Sequence, residues 1–125
     1  MQAKDLAEKA YTTGENISLA KVAQIMSSKK IGEILFLNGG EIKGIITEDD
    51  IVRNFEKNKS IKSAMTPKVI TIGENESLDN ALDLMNNHSI KRLPVLSGNG
   101  KLIGILRLID IARHAHELED DFFFG

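Results

Sequence analysis

Residues 12–19 read TTGENISL, and residues 71–78 read TIGENESL. Six of these eight positions are identical at a separation of 59 residues. The match continues outward at that separation, Met26 with Met85 and Ile31 with Ile90. One residue is gained where NGG (38–40) faces SGNG (97–100), and from there the separation is 60. Gly44 then pairs with Gly104, Asp50 with Asp110, Ile51 with Ile111 and Arg53 with Arg113. Self-similarity at a fixed period marks a fold built from repeated supersecondary units. The chain reads as two copies of one unit, residues 2–58 and 59–118, followed by a tail at 119–125.

Each copy carries the same local signals. Val69–Ile72 is a short β-branched run and predicts a strand. Ser77 can cap a helix in which Leu78, Ala81, Leu82 and Met85 recur at helical spacing. Leu19, Val22, Ala23 and Met26 do the same in the first copy. Two strands follow around a tight turn, ILFL–NGG–EIKGII (34–46) and LPVL–SGNG–KLIGIL (93–106). Their Asn-Gly and Gly-Gly pairs supply the positive φ that hairpin turns need. A second helix starts near Thr47 and near Arg107. The expected fold class is α/β, with the order strand–helix–strand–strand–helix occurring twice.

Composition narrows the function. The 125 residues are 42% hydrophobic and 27% charged, enough for a real core. Sixteen basic and eighteen acidic residues are mixed along the chain, for a net charge of −2. No basic stripe or set of stacking aromatics suggests nucleic acid. With no cysteine, disulfides and thiolate chemistry are ruled out. No stretch resembles a signal peptide or a membrane span, so the expected location is cytoplasmic.

The polar residues that hold fixed places lie in GIITEDDI (44–51) and GILRLIDI (104–111). Gly44 lets backbone or ligand approach closely. Thr47 stands where strand becomes helix, and Asp50 lies in the first helical turn. A helix N-terminus favours phosphate, and a threonine hydroxyl adds a hydrogen bond to it. A carboxylate beside it can accept from both hydroxyls of a ribose, as acidic residues do in dinucleotide folds. The same T-x-x-D spacing is also a capping box, the commoner use of such a pair. The second copy complicates the cap. Arg107 cannot cap a helix N-terminus and its charge opposes the helix dipole, yet Asp110 is kept. An arginine near a phosphate site is one explanation. A surface arginine paired with a carboxylate is the other.

Other candidates carry less. His114 and His116 are two apart on a helix and diverge as metal ligands, while His88 suits a helix C-terminus. SGNGKL lacks the spacing of a phosphate-binding loop. Glu48, Asp49 and Asp50 read as a solvated first turn. No nucleophile–base pair is present, so no enzyme activity, resident cofactor or metal is expected. Phe122–Phe124 would be costly exposed, and pack on the domain or a second subunit unless the terminus is disordered.

Taken together, AMTPKVITIGENESLDNALDLM (64–85), SIKRLPVL (89–96), GIITEDDIV (44–52) and, less completely, GILRLIDIA (104–112) resemble a tandem pair of CBS (cystathionine-β-synthase) domains, a Bateman module. The resemblance covers nearly the whole chain. It implies two pseudo-symmetric β-α-β-β-α motifs packed through small mixed sheets. It also implies a regulatory or sensor role, binding AMP, ADP, ATP or S-adenosylmethionine in the clefts between motifs, and homodimerisation. Asp50 would hold ribose and Thr47 phosphate, with Ile45 lining the cleft. Met65, Thr66, Ile70, Ile90 and the backbone of Lys91 would enclose the base. Lys91 and Arg92 would reach phosphates, or else stand as two solvated charges before a strand. The second cleft would use Asp110 with Arg107, Ile31 and Gly32. It departs from the pattern, because Arg107 replaces Thr or Ser, and LAEKAYTT (6–13) places Ala7 and Glu8 where Thr66 and Pro67 stand. The rival reading is a ligand-free module that dimerises or docks on an effector protein.

Overall fold

The computed structural model describes all residues except Glu56, Asn58 and Gly125, and from residue 118 to 124 the backbone alone. In chain order the elements are α1 (Ala3–Leu6), β1 (Thr12–Thr13), α2 (Leu19–Lys29), β2 (Glu33–Asn38), β3 (Glu41–Thr47) and α3 (Glu48–Asn54). Then come α4 (Ile61–Ala64), β4 (Ile72–Gly73), α5 (Leu78–His88), β5 (Arg92–Leu96), β6 (Leu102–Arg107) and α6 (Leu108–Phe124). The expected order of strand–helix–strand–strand–helix is present twice. The packing of the Phe122–Phe124 side chains lies outside the described residues.

The chain forms two compact units, Ala10–Val69 and Met1–Lys9 together with residue 70 onward. In the first, β1 runs parallel to β2 and β2 antiparallel to β3, with Ile34 opposite Ile46 and Phe36 opposite Gly44. Gly39 (φ 60°) and Gly40 (φ 81°) make the turn between β2 and β3, the backbone that a tight hairpin requires. Ser18 opens α2 by accepting from the Lys21 N–H at 3.1 Å. Lys30 closes it in the left-handed region. Leu19, Val22 and Met26 of α2 bury against Ile34, Phe36, Ile46 and Ile61.

The second unit repeats this plan with β4, β5 and β6. Ser77 caps α5 through the Asn80 N–H at 3.0 Å, and Ser89 closes it at φ 52°. Ala3, Ile72, Ala81, Met85, Leu93, Val95, Leu106 and Ile111 form its core. Both sheets shift register at the same place, between Phe36 and Leu37 and between Val95 and Leu96.

The structure corrects the expectation of a strand over Val69–Ile72, since β4 begins only at Ile72. The strand of the first unit likewise begins no earlier than Thr12, the counterpart of Thr71, and Pro94 accounts for the one further residue lost. In the first unit the Leu35 N–H donates to the Tyr11 carbonyl at 3.0 Å, and Thr12 pairs with Leu35. Pro94 stands where Leu35 does and has no N–H to give. The ladder therefore starts one residue later, with Ile72 opposite Val95.

The helical turns α1 and α4 were not foreseen. Each is four residues long and opens on a capping box, Gln2 with Asp5 and Ser60 with Ser63. Each brings one fully buried residue to its unit's core, Ala3 and Ile61. A four-residue turn is too short to show periodicity.

Candidate functional site

The frame at Thr47 is built by the end of β3 and the start of α3. Thr47 is the N-cap in extended backbone, and Asp50 sits three residues on in a capping box. The Thr47 N–H donates to Asp50 Oδ2 at 2.9 Å, and the Thr47 hydroxyl lies 3.3 Å from the same oxygen. Arg53, one turn further, donates to Asp50 Oδ1. Asp50 is 3% exposed, and among the described residues only Glu33 is a charged residue as deeply buried. The capping reading of T-x-x-D is thus realised. It leaves the carboxylate anchored by backbone and held at a strand–helix junction.

Gly44 does admit a close approach, and it is the chain's own Met65 that makes it. A Cβ there would come within 2.8 Å of Met65 Cγ, so the space beside β3 is filled by the chain itself. Ile45 and Thr66 exchange two backbone hydrogen bonds, Ile45 N–H to Thr66 O at 3.0 Å and Thr66 N–H to Ile45 O at 2.8 Å. Met65 and Thr66 are therefore fixed beside the frame. Ile45, Thr47, Asp50, Met65 and Thr66 belong to one compact unit, whereas Ile70, Ile90, Lys91 and Arg92 belong to the other. There, Ile70 and Ile90 pack on the core, and the Lys91 carbonyl accepts the Leu108 N–H at 2.9 Å.

In the second unit Glu8 and Ile105 exchange the equivalent pair of hydrogen bonds, 2.8 and 2.7 Å. Glu8 therefore stands where Thr66 stands, and Ala7 where Met65 stands. This corrects the register read from the sequence, which set Ala7 against Thr66 and Glu8 against Pro67. The separation is 58 at the bridge and becomes 59 by Thr13 and Ile72, which face Phe36 and Val95. One residue is gained in the loop between, before Lys9 and Lys68, which are identical at a separation of 59. A Cβ on Gly104 would lie 2.7 Å from the Glu8 carbonyl oxygen.

The second frame is electrostatically unlike the first. The outermost cross-strand pair is Glu33 with Thr47 in one sheet and Arg92 with Arg107 in the other. Asp110 lies between two guanidinium groups, Arg107 at 3.9 Å and Arg113 at 3.8 Å. Its Oδ2 is buried and accepts no hydrogen bond. A cavity of about 220 Å³ opens here, lined by Asp5, Leu6, Ala7, Glu8, Asp110, Arg113, His114 and Glu117. Of the other residues expected for this cleft, Ile31 packs on the core of the first unit, and the Gly32 carbonyl accepts the Glu48 N–H at 3.2 Å. Sequence reasoning overlooked Arg53, Arg113 and Glu8. The two arginines were findable, because they recur in the repeat three residues after each aspartate.

Another charged pair lies at the opposite end of β3. There a hydrogen bond and the charge of Lys43 hold Glu41 below the usual carboxylate range. No described helix is long and apolar enough to cross a membrane.

A family model described as CBS domain matches the chain twice, over residues 3–57 and 60–117. A 17.7 kDa protein of Acidianus ambivalens is 33% identical over 109 residues, covering 84% of this chain and 66% of that protein. The MJ1232 protein of Methanocaldococcus jannaschii is 29% identical over 107 residues, 85% of this chain but 36% of its own length. The chain thus spans less than two thirds of these relatives. Among solved structures, the CBS domain pair of protein MJ0100, in complex with 5′-methylthioadenosine and S-adenosyl-L-methionine, superposes with a TM-score of 0.87. It is 30% identical, with 94% of this chain and 98% of that one covered. The CBS-domain protein ATU1752 of Agrobacterium tumefaciens follows at 0.83 and 26% identity, with 92% and 99% covered.

Proposed function

The chain belongs to the CBS-domain family, and from that premise we propose that it is a regulatory sensor binding an adenosine-containing ligand, of the class AMP, ADP, ATP or S-adenosylmethionine. The observation that carries the reading is the buried, backbone-anchored Asp50 at the start of α3, beside a threonine N-cap and a fixed Met65–Thr66 segment. Support comes from the MJ0100 pair, solved with two adenosine derivatives. In this reading Asp50 accepts from ribose, and Thr47 with the first N–H groups of α3 faces phosphate. Ile45, Met65 and Thr66 line the base. Asp110 and Arg107 serve a second site. The ligand is an effector and is not turned over. No cofactor is resident, the setting is cytoplasmic, and the output passes to an effector protein.

A thermal-shift screen against AMP, ADP, ATP, S-adenosylmethionine, NAD and GTP tests this. A ligand at about 100 times its Kd stabilises a fold by about 2.7 kcal/mol. We expect one adenosine compound to raise the melting temperature. A flat response to all six would refute the sensor reading and leave the frame as a cap.

A second copy of the chain is the proposed partner, for a specific reason. Val52 and Phe55 lie three residues apart at the end of α3 and are 69% and 73% exposed. Apolar side chains that share a face and reach solvent favour an interface. Sedimentation equilibrium should give a dimer, and Val52→Ser with Phe55→Ser should give a monomer of unchanged circular dichroism. A monomer in the parent protein would remove this assignment.

A further inference from the structure

Asp50 is nearly full before any ligand arrives. An ionised carboxylate offers about four lone-pair positions, two on each oxygen. Oδ2 already receives the Thr47 N–H at 2.9 Å and faces the Thr47 hydroxyl at 3.3 Å. Oδ1 receives Arg53. One position on Oδ1 remains; a second opens on Oδ2 when the Thr47 hydroxyl turns to a phosphate, but a nucleoside brings no phosphate, so that hydroxyl stays on Oδ2 and a ribose donating both its hydroxyls lacks one position. The Thr47 N–H is backbone and cannot withdraw. Arg53 can, because its side chain is 65% exposed while that of Asp50 is only 4% exposed.

We propose that Arg53 is the internal competitor that a ribose displaces from Asp50, and that it thereby sets the affinity and the hydroxyl selectivity of the site. The inference rests on the assignment of Asp50 to ribose. With Arg53 in place the carboxylate grips one hydroxyl, and with Arg53 withdrawn it grips two. Arg53 is a positioning residue in this account and need not touch the ligand. The arrangement differs in the second copy. There Arg113 is 3.8 Å from Asp110 Oδ1, and Asp110 Oδ2 has no hydrogen-bond donor. Competition of this kind is a property of the first frame.

The test compares parent protein, Arg53→Ala and Asp50→Asn by calorimetric titration with adenosine and with 2′-deoxyadenosine. Adenosine is uncharged, so its salt response reports the Arg53–Asp50 pair alone. We expect Arg53→Ala to bind adenosine two- to fivefold more tightly, about 0.4–1 kcal/mol, the range of an ion pair with one exposed partner. Its preference for adenosine over the 2′-deoxy compound should widen. In the parent, affinity for adenosine should rise between roughly 0.05 and 0.5 M salt as Arg53 is screened, and in Arg53→Ala it should stay flat. Equal or weaker binding by Arg53→Ala, with binding lost in Asp50→Asn, overturns the competitor and leaves the ribose assignment standing. Unchanged binding by Asp50→Asn overturns both. So does the absence of saturable adenosine binding in the parent.

Discussion

Asp50→Ala is expected to abolish the ligand-induced thermal shift while lowering the melting temperature of the free protein only slightly. The two effects have different sources and different sizes. In the free protein the substitution removes an N-terminal capping interaction, worth about 1 kcal/mol. It also removes an ion pair whose arginine end is largely in water, worth about 0–1 kcal/mol. Against these stands the relief of no longer burying a carboxylate. In the complex, each ribose hydroxyl donating to a charged acceptor is worth about 1.5–3 kcal/mol. Losing one such bond weakens binding by about tenfold to a hundredfold, and losing two is enough to end detectable binding. Denaturant melts with and without ligand separate the two. A ligand shift that survives Asp50→Ala would mean that the residue is a cap and nothing more. A large loss in the free protein would mean that the box matters more to the fold than a cap usually does.

The comparison of the two frames also bears on why one copy exchanges a hydroxyl for a guanidinium. The change at Arg107 does not stand alone. Its cross-strand neighbour changes with it, from Glu33 opposite Thr47 to Arg92 opposite Arg107. Like charges directly opposite on a sheet are unfavourable. Asp110, set between Arg107 and Arg113, offsets that charge. In the first frame a threonine can cap, so its aspartate is used by the backbone. In the second, the aspartate is left to the arginines and to whatever enters the cavity beside it.

Much of this was legible in the sequence because it is local. Ser18 and Ser77 announced their helices, and paired glycines announced the turn after Asn38. Apolar runs on either side of each turn placed the hairpin strands, and helical periodicity placed the core-facing residues of α2 and α5. What escaped detection depends on partners far away in the chain. β4 starts one residue later than β1 because of a missing N–H at Pro94, more than twenty residues on. The bridge of Glu8 to Ile105 spans almost the full chain and shifts the repeat register by one, and the identities in LAEKAYTT, Lys9 with Lys68 and Thr12 with Thr71, report only the separation of 59 beyond it. The Arg53–Asp50 pair was written in the repeat but read only as identity, since spacing does not say which way an arginine turns.

Gly104→Ala is expected to be the more damaging of the two frame glycine substitutions, because the obstacle it meets is backbone. A methyl at residue 104 would lie 2.7 Å from the Glu8 carbonyl oxygen and 3.2 Å from the Ala7 Cβ. That carbonyl is not free to move, since it accepts the Ile105 N–H at 2.7 Å while the Glu8 N–H donates back to Ile105. Relieving the clash therefore stretches two hydrogen bonds and displaces the chain between α1 and β1. Ala3, on α1, is fully buried in the same core. At Gly44 the obstacle is the side chain of Met65, half-buried and unbranched, which can choose another rotamer. Overpacking in a well-filled site costs about 1–3 kcal/mol, and Gly104→Ala belongs at the upper end or beyond. Gly44→Ala should cost under about 1 kcal/mol, since removing a glycine also lowers the entropy of the unfolded chain. Urea titration of the two variants measures the difference directly, with an unchanged slope confirming that the native state keeps its extent. Equal costs would show that the Glu8 segment yields as easily as a methionine side chain, and that the N-terminal strand of the bridge is a loose flap. A larger cost at Gly104 would show that the first nine residues are held by the second copy of the repeat as firmly as its own strands.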